Sequence, residues 1–137
     1  MSPWRRIARL PLYLWAGPCS LAGLVVVSVA LGMGAQARLR DGTLQVAGGR
    51  FASFLSRLPT RLRILAFTNG HVIFALSWSV MDDYRAHELV HVRQYERWGP
   101  LFPVLYLGAS LLLKLRGRDP YFDNPFERAA RRAEPGP

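Results

Sequence analysis

From Leu10 to Ala35 the chain runs 26 residues without a charge, LPLYLWAGPCSLAGLVVVSVALGMGA. No other stretch limits the fold so strongly, because about 20 predominantly apolar residues in a helix are enough to cross the hydrocarbon core of a bilayer. The run is read as a retained N-terminal membrane helix, giving an anchor over residues 1–40 and a small domain over 41–137. Pro18 lies inside it and is expected to kink or split the helix, since an internal proline removes a backbone hydrogen bond. Ala35-Gln36-Ala37 also has the small-x-small form of a signal-peptidase site. A retained helix is the preferred reading because the run is longer than an ordinary signal core and rich in glycine.

The charge distribution points the same way. The chain carries 18 Lys+Arg against 9 Asp+Glu, a formal net charge of +9, and Lys114 is its only lysine. Such a balance suits nucleic acid or anionic lipid. The arginines flank apolar runs, with Arg5, Arg6 and Arg9 before the first and Arg116 and Arg118 after a later one, so membrane lipid is the expected partner and nucleic acid is not. Orientation stays open, because Arg38, Arg40, Arg50 and Arg57 follow the apolar run as others precede it. The single cysteine, Cys19, excludes an internal disulfide and a cysteine-based zinc knuckle.

Beyond the anchor the pattern is α+β. Asp41-Gly42 and Gly48-Gly49 bracket a short strand over Thr43 to Val46, and Asn69-Gly70 predicts a hairpin with a type I′ turn between strands at Leu62–Thr68 and His71–Leu76, the alternative being one longer strand bulged at Gly70. A small antiparallel sheet is expected. A helix should start around Ser79–Asp83, with Ser79 and Asp82 as a capping box, and stop at Gly99-Pro100. The apolar run Leu101–Leu115 is short for a span and reads as an in-plane, re-entrant or core helix. A C-terminal helix should open with Asn124 as N-cap, Pro125 in the first turn and Glu127 at the third position.

The chemistry lies in RAHELVHVRQYERWGP, Arg85 to Pro100. His87 and His91, four residues apart on a helix, can offer two imidazole nitrogens to one metal ion, with Glu88 beside them as a base for water. A catalytic zinc site takes three protein ligands and keeps one position open. The only other histidine, His71, precedes the motif, so a carboxylate must complete the set. Glu127 is the first candidate, with Asp119, Asp123 and Glu134 as rivals. A glutamate at Glu127's place is also where a capping-box acid would reach back to the backbone. Gln94 and Tyr95 are placed to support His91 from behind or simply to pack. Arg85, Arg93 and Arg97 read as a solvated or headgroup-facing side, and Trp4, Trp15, Trp78 and Trp98 as anchors at the ends of apolar segments.

HELVH followed by an apolar segment and a glutamate on a later helix resembles the gluzincin metallopeptidases, including their membrane-bound bacterial members and the single-domain minigluzincins. GHVIF, HELVHVRQYERWGPLF, GRDPY and DNPFERAA are similar, over about Asn69 to Ala130, to a set of small bacterial membrane proteins carrying HExxH. The resemblance implies zinc held by His87, His91 and Glu127, Glu88 as general base and acid, a peptide or protein substrate, and a place at the bacterial inner membrane. It also implies that zinc acidifies a water and polarises the scissile carbonyl. A substrate strand would add to a sheet edge, with the strand at His71–Leu76 as the candidate. For the oxyanion donor, Tyr121 is the first choice, ahead of Tyr84, Tyr95 and His71. The alternative function is a non-catalytic membrane protein whose metal site stabilises an interaction surface.

Overall fold

The computed structural model describes residues 7–58 and 65–136. Arg5, Arg6, Trp4 and the expected strand start at Leu62 lie outside the described residues. The elements are helices α1 (Leu10–Trp15) and α2 (Gly17–Gly32), strands β1 (Gln36–Arg40) and β2 (Thr43–Ala47), helix α3 (Gly49–Ser56), strands β3 (Ala66–Asn69) and β4 (Val72–Ala75), and helices α4 (Trp78–Trp98), α5 (Leu101–Leu115) and α6 (Pro125–Arg131). The chain is therefore α+β, as its pattern of elements requires.

The long uncharged run is not one helix. It breaks at Ala16, with Pro11 and Pro18 in the first turns of α1 and α2, where their missing N–H groups are no loss. Neither piece, nor any other single helix among the described residues, is long and apolar enough to cross a membrane. One side of α2 serves the fold instead: Val27 and Ala30 are buried with Val46, Phe51, Val72 and Phe74. Gly23 lets α2 approach the sheet, because a Cβ there would stand 3.0 Å from both the Asn69 carbonyl and the Val72 side chain. A boundary at residue 40 falls within the β1–β2 hairpin, and Val27, Ala30 and Ala35 before it share a core with Val46, Val72 and Phe74 after it. Ala35-Gln36-Ala37 leads into β1, with Gln36 opposite Ala47 and Ala37 opposite Val46.

The sheet has four strands in the order β1-β2-β4-β3 and is mixed, not purely antiparallel. β2 runs parallel to β4, with Leu44 opposite Val72 and Ala47 opposite Ala75, because the chain leaves the sheet through α3 before returning. β4 is interior to the sheet and all four of its residues are buried, so it offers no edge; among the described residues the edges are β1 and β3. The type I′ signature lies at the other hairpin. Arg40 pairs with Thr43, and Asp41 and Gly42 have φ of 54° and 74°. At Asn69-Gly70 the turn is one residue later: Asn69 pairs with Val72, and of the central pair Gly70 and His71 only Gly70 has positive φ, at 62°.

α4 starts one residue beyond Ser77, whose side chain accepts the Val80 N–H; Ser79 is inside the helix and Asp82 pairs with Arg40 instead of closing a capping box. It ends as expected at Gly99, with φ of 53°. Met81 and Val92 pack from α4 onto Ile73 and Ala75 of β4. α5 then leaves at 113° to α4. Trp15 lies over Gly99 at that corner, and Ala16, Tyr95 and Phe102 close a third cluster joining the α1–α2 junction, α4 and α5.

Candidate metal centre

His87, Glu88 and His91 all lie on the buried side of α4. Imidazole and carboxylate groups are costly to bury unless they are partnered, and every one of these is. The partner from the C-terminal region is Glu127. Asn124 caps α6 with its own side chain, accepting from the Phe126 N–H, while the Asn124 N–H donates to the Tyr121 carbonyl. Glu127 is thus released from the capping-box role and turns toward the histidines. Its Oε2 stands 3.1 Å from His87 Nε2 and its Oε1 3.4 Å from His91 Nε2.

The two Nε2 atoms are 3.2 Å apart. Ligand atoms about 2.0–2.1 Å from a tetrahedral ion stand about 3.3–3.4 Å from one another; the 3.2 Å between the Nε2 atoms, and the 3.1 and 3.4 Å from them to Oε2 and Oε1 of Glu127, are close to that spacing, with a different carboxylate oxygen nearest each imidazole. His87, His91 and Glu127, all buried, form the one group of this kind among the described residues, and the three could hold a metal ion. Imidazole with carboxylate suits first-row ions such as zinc better than calcium or magnesium.

Each candidate ligand is held from behind. His87 Nδ1 is 2.7 Å from Glu134 Oε1, and His91 Nδ1 is 2.8 Å from Gln94 Oε1. Gln94 in turn donates to the Phe126 carbonyl, tying α4 to α6. Partners at Nδ1 fix the ring and leave Nε2 for the ion. Tyr106 of α5 donates to Glu127 Oε1 at 2.7 Å. Glu88 does not join the ligand cluster; its Oε2 accepts from Thr68 Oγ1 at 2.6 Å, on strand β3.

The electrostatics follow from this packing. Burial lowers the two imidazoles, but the carboxylates of Glu127 and Glu88 more than offset it, and both histidines sit above their ordinary value. Burial raises Glu127, but its hydrogen bonds to His87, His91 and Tyr106 overcome that and its carboxyl is held well below the usual range. Burial raises Glu88, only partly opposed by His91 and Thr68. The outcome is one carboxylate held as an anion and one with a stronger hold on a proton, the division of labour that ligand and base require.

All of these groups border a cavity of about 670 Å³, walled by β3 on one side and by Phe102, Pro103, Tyr106 and Leu107 of α5 on another. Tyr121 borders it too, its phenol raised by burial and by the neighbouring Glu127 carboxylate. Tyr95 reaches the wall as a packed aromatic against Phe102, its hydroxyl pushed up to about 12 by burial. Tyr84 sits edge-on to His87, 6.4 Å between ring centres.

Other expected residues serve elsewhere. His71 bonds Ser20 and Glu96 and stacks on Tyr13, in a network with Arg9 that pins α1 and α2 to the β3–β4 turn. Asp119 accepts the Tyr121 and Phe122 N–H groups, and Asp123 pairs with Arg118, so both shape the loop before α6. Glu134 meets His87 at Nδ1 and lies outside the group formed by His87, His91 and Glu127. Thr68 and Tyr106 carried no motif: Thr68 is an ordinary strand residue and Tyr106 one aromatic in an apolar run. No family model, no curated protein and no solved structure matches the chain.

Proposed function

We propose that the protein is a membrane-associated, zinc-dependent peptide hydrolase of gluzincin type, with His87, His91 and Glu127 as ligands and Glu88 as general base. The observation that carries this reading is the common opening: the ligand trio, the Glu88 carboxylate and the outer edge of β3 all border one cavity. When bound, zinc supplies Lewis acidity, acidifying water and polarising a carbonyl. Glu88 accepts a proton from the attacking water and returns it to the departing amine. Thr68 orients that carboxylate through Oε2. An extended peptide adds to β3, which among the described residues pairs only with β4, and so lays its carbonyls along the cavity. Tyr121, which borders the cavity beside Glu127, is the donor assigned to the developing oxyanion, and it would have to turn from the Glu127 carboxylate to reach it.

Membrane association is supported by the exposed apolar faces of α1, α2 and α5, among them Leu14, Leu21, Val25, Val104 and Leu111, on a chain of net charge +9.

A non-catalytic reading has one observation in its favour. The ligands come from α4 and α6, so an ion would also cross-link those helices. Purified protein should carry one zinc per chain, and Glu88→Gln should keep the zinc while losing peptide cleavage. Zinc retained with no difference between wild type and Glu88→Gln would leave the structural role; no zinc at all would end both readings.

A further inference from the structure

Helix α5 faces two ways. Successive residues of an α-helix turn by about 100°, which sets Phe102, Tyr106 and Leu113 on one side and Val104, Leu111 and Leu115 on the other. The first three face inward; Val104, Leu111 and Leu115 are 67%, 59% and 76% exposed. Pro103 and Leu107 lie at the boundary between the two sides. Leu107 borders the cavity and is nonetheless 65% exposed, so the mouth of the cavity opens at the margin of the exposed apolar face.

That face has no covering element among the described residues, and its surroundings carry the charge that an anionic surface attracts. Lys114, Arg116 and Arg118 follow at its C-terminal end, all exposed. At its N-terminal end, the Trp15–Gly99 contact makes it continuous with the exposed Leu10 and Leu14 of α1. An apolar helix face with basic residues at its margin is the composition of an element lying in the headgroup region of an anionic bilayer.

We propose that α5 rests on anionic lipid with the cavity mouth at Leu107 and Pro103 facing the acyl boundary, so that the protein takes apolar peptide segments from the membrane surface. The substrate class rests on the peptidase reading above; the placement of α5 does not. Leu107 and Phe67 line the entry and the β3 wall with apolar side chains, which suits a segment already lodged at the lipid boundary.

The placement is tested without hydrolysis. A nitrobenzoxadiazole probe on Leu107→Cys, in a Cys19→Ala background, is mixed with phosphatidylglycerol vesicles whose chains carry bromine. The expected result is a blue shift and quenching at Leu107, with neither at a probe on Asp82→Cys, about 25 Å away along α4. The double variant Leu111→Glu/Leu115→Glu should co-sediment with the vesicles at least about tenfold less than wild type. An unshifted Leu107 probe, or undiminished sedimentation of the double variant, overturns the placement.

For substrate class, one apolar peptide is presented free in solution and acyl-tethered to the vesicles. Wild type should favour the tethered form by about tenfold, and the double variant should lose that preference while cleaving the free form normally. Equal cleavage of both forms by wild type overturns the substrate assignment. No cleavage of either sinks the peptidase reading and the assignment with it, while the probe result still decides how α5 sits.

Discussion

Tyr106 and Glu127 meet across α5 and α6, the phenol donating to Oε1 at 2.7 Å while Oε2 faces His87 Nε2 at 3.1 Å. The hydrogen bond engages one carboxylate oxygen and favours binding of an ion through the other, which leaves a coordination position free. Tyr106→Phe removes the donor with little change in volume. Zinc affinity, read by competition with a chromophoric chelator, is expected to fall about tenfold. A cobalt-loaded sample should show an altered visible spectrum as the carboxylate reorients. Unchanged affinity and an unchanged spectrum would mean that Tyr106 only packs.

Glu127 brings α6 to α4, so the ion is expected to bear on folding as well as chemistry. Zinc at about 100 times its dissociation constant adds about 2.7 kcal/mol to a folded state that alone binds it. Thermal melts should shift upward on zinc addition and return with chelator. Glu127→Gln, with a poorer ligand atom, should lose most of the zinc-dependent shift while melting cooperatively on its own. A full shift in that variant would remove Glu127 from the ligand set.

Asn124 is fully buried and works in three directions: it caps α6 through Phe126, and its Nδ2 donates to the Tyr106 carbonyl and to Ser110 Oγ. Asn124→Ala loses the cap and both donor bonds, an expected cost of about 2–4 kcal/mol in denaturant unfolding of the metal-free protein. Asn124→Asp keeps the cap acceptor but sets a buried carboxylate oxygen against the Tyr106 carbonyl, so at neutral pH it should cost at least as much as Asn124→Ala. A cost below about 0.5 kcal/mol would show that Asn124 does not set the α5–α6 angle.

The residues that sequence reasoning reached are those whose roles come from local spacing. His87 and His91 share a face because they are four apart, and the Gly99 stop and the Asn124-Pro125 start follow from backbone rules that act within a few residues. Glu127 was identifiable by the motif's need for a carboxylate, but its release from the capping role depends on Asn124 capping alone. What sequence could not show depends on distant pairing. β4 became interior because the chain returns through α3 to pair in parallel with β2, which among the described residues leaves β3 at the edge and makes Thr68 the partner of Glu88. The uncharged run looked like one span because composition does not record that its inward side, through Val27 and Ala30, has a sheet to cover.

Thr68→Val tests the proposed base directly. The hydroxyl stabilises the charged form of Glu88, so its loss should move the carboxyl further up from its already raised position. The acidic limb of the profile of kcat/KM against pH should shift to higher pH, with metal content unchanged. A lower plateau with no movement of that limb would assign Thr68 to substrate alignment instead.

The metal-free protein should respond to pH through the same cluster. His87 and His91 are raised, so the stability they contribute is complete below the unfolded value of 6.5 and is lost as pH rises through their folded values. Glu127 is lowered, so its contribution is complete above the unfolded value of 4.5 and is lost only as pH falls through its folded value. Buried Glu88, raised, adds to the loss on the alkaline side, because its unfolded form ionises first. His71, lowered mainly by burial, acts with the opposite sign. Glu127→Gln leaves the His71 network in place, so subtracting that variant isolates the cluster. The advantage of metal-free wild type over Glu127→Gln in denaturation midpoint should therefore be larger at pH 6 than at pH 8. Zinc should reverse the trend, because the ion competes with protons for both imidazoles. An advantage that does not change between the two values would mean that the histidines and Glu127 are not paired in the absence of metal.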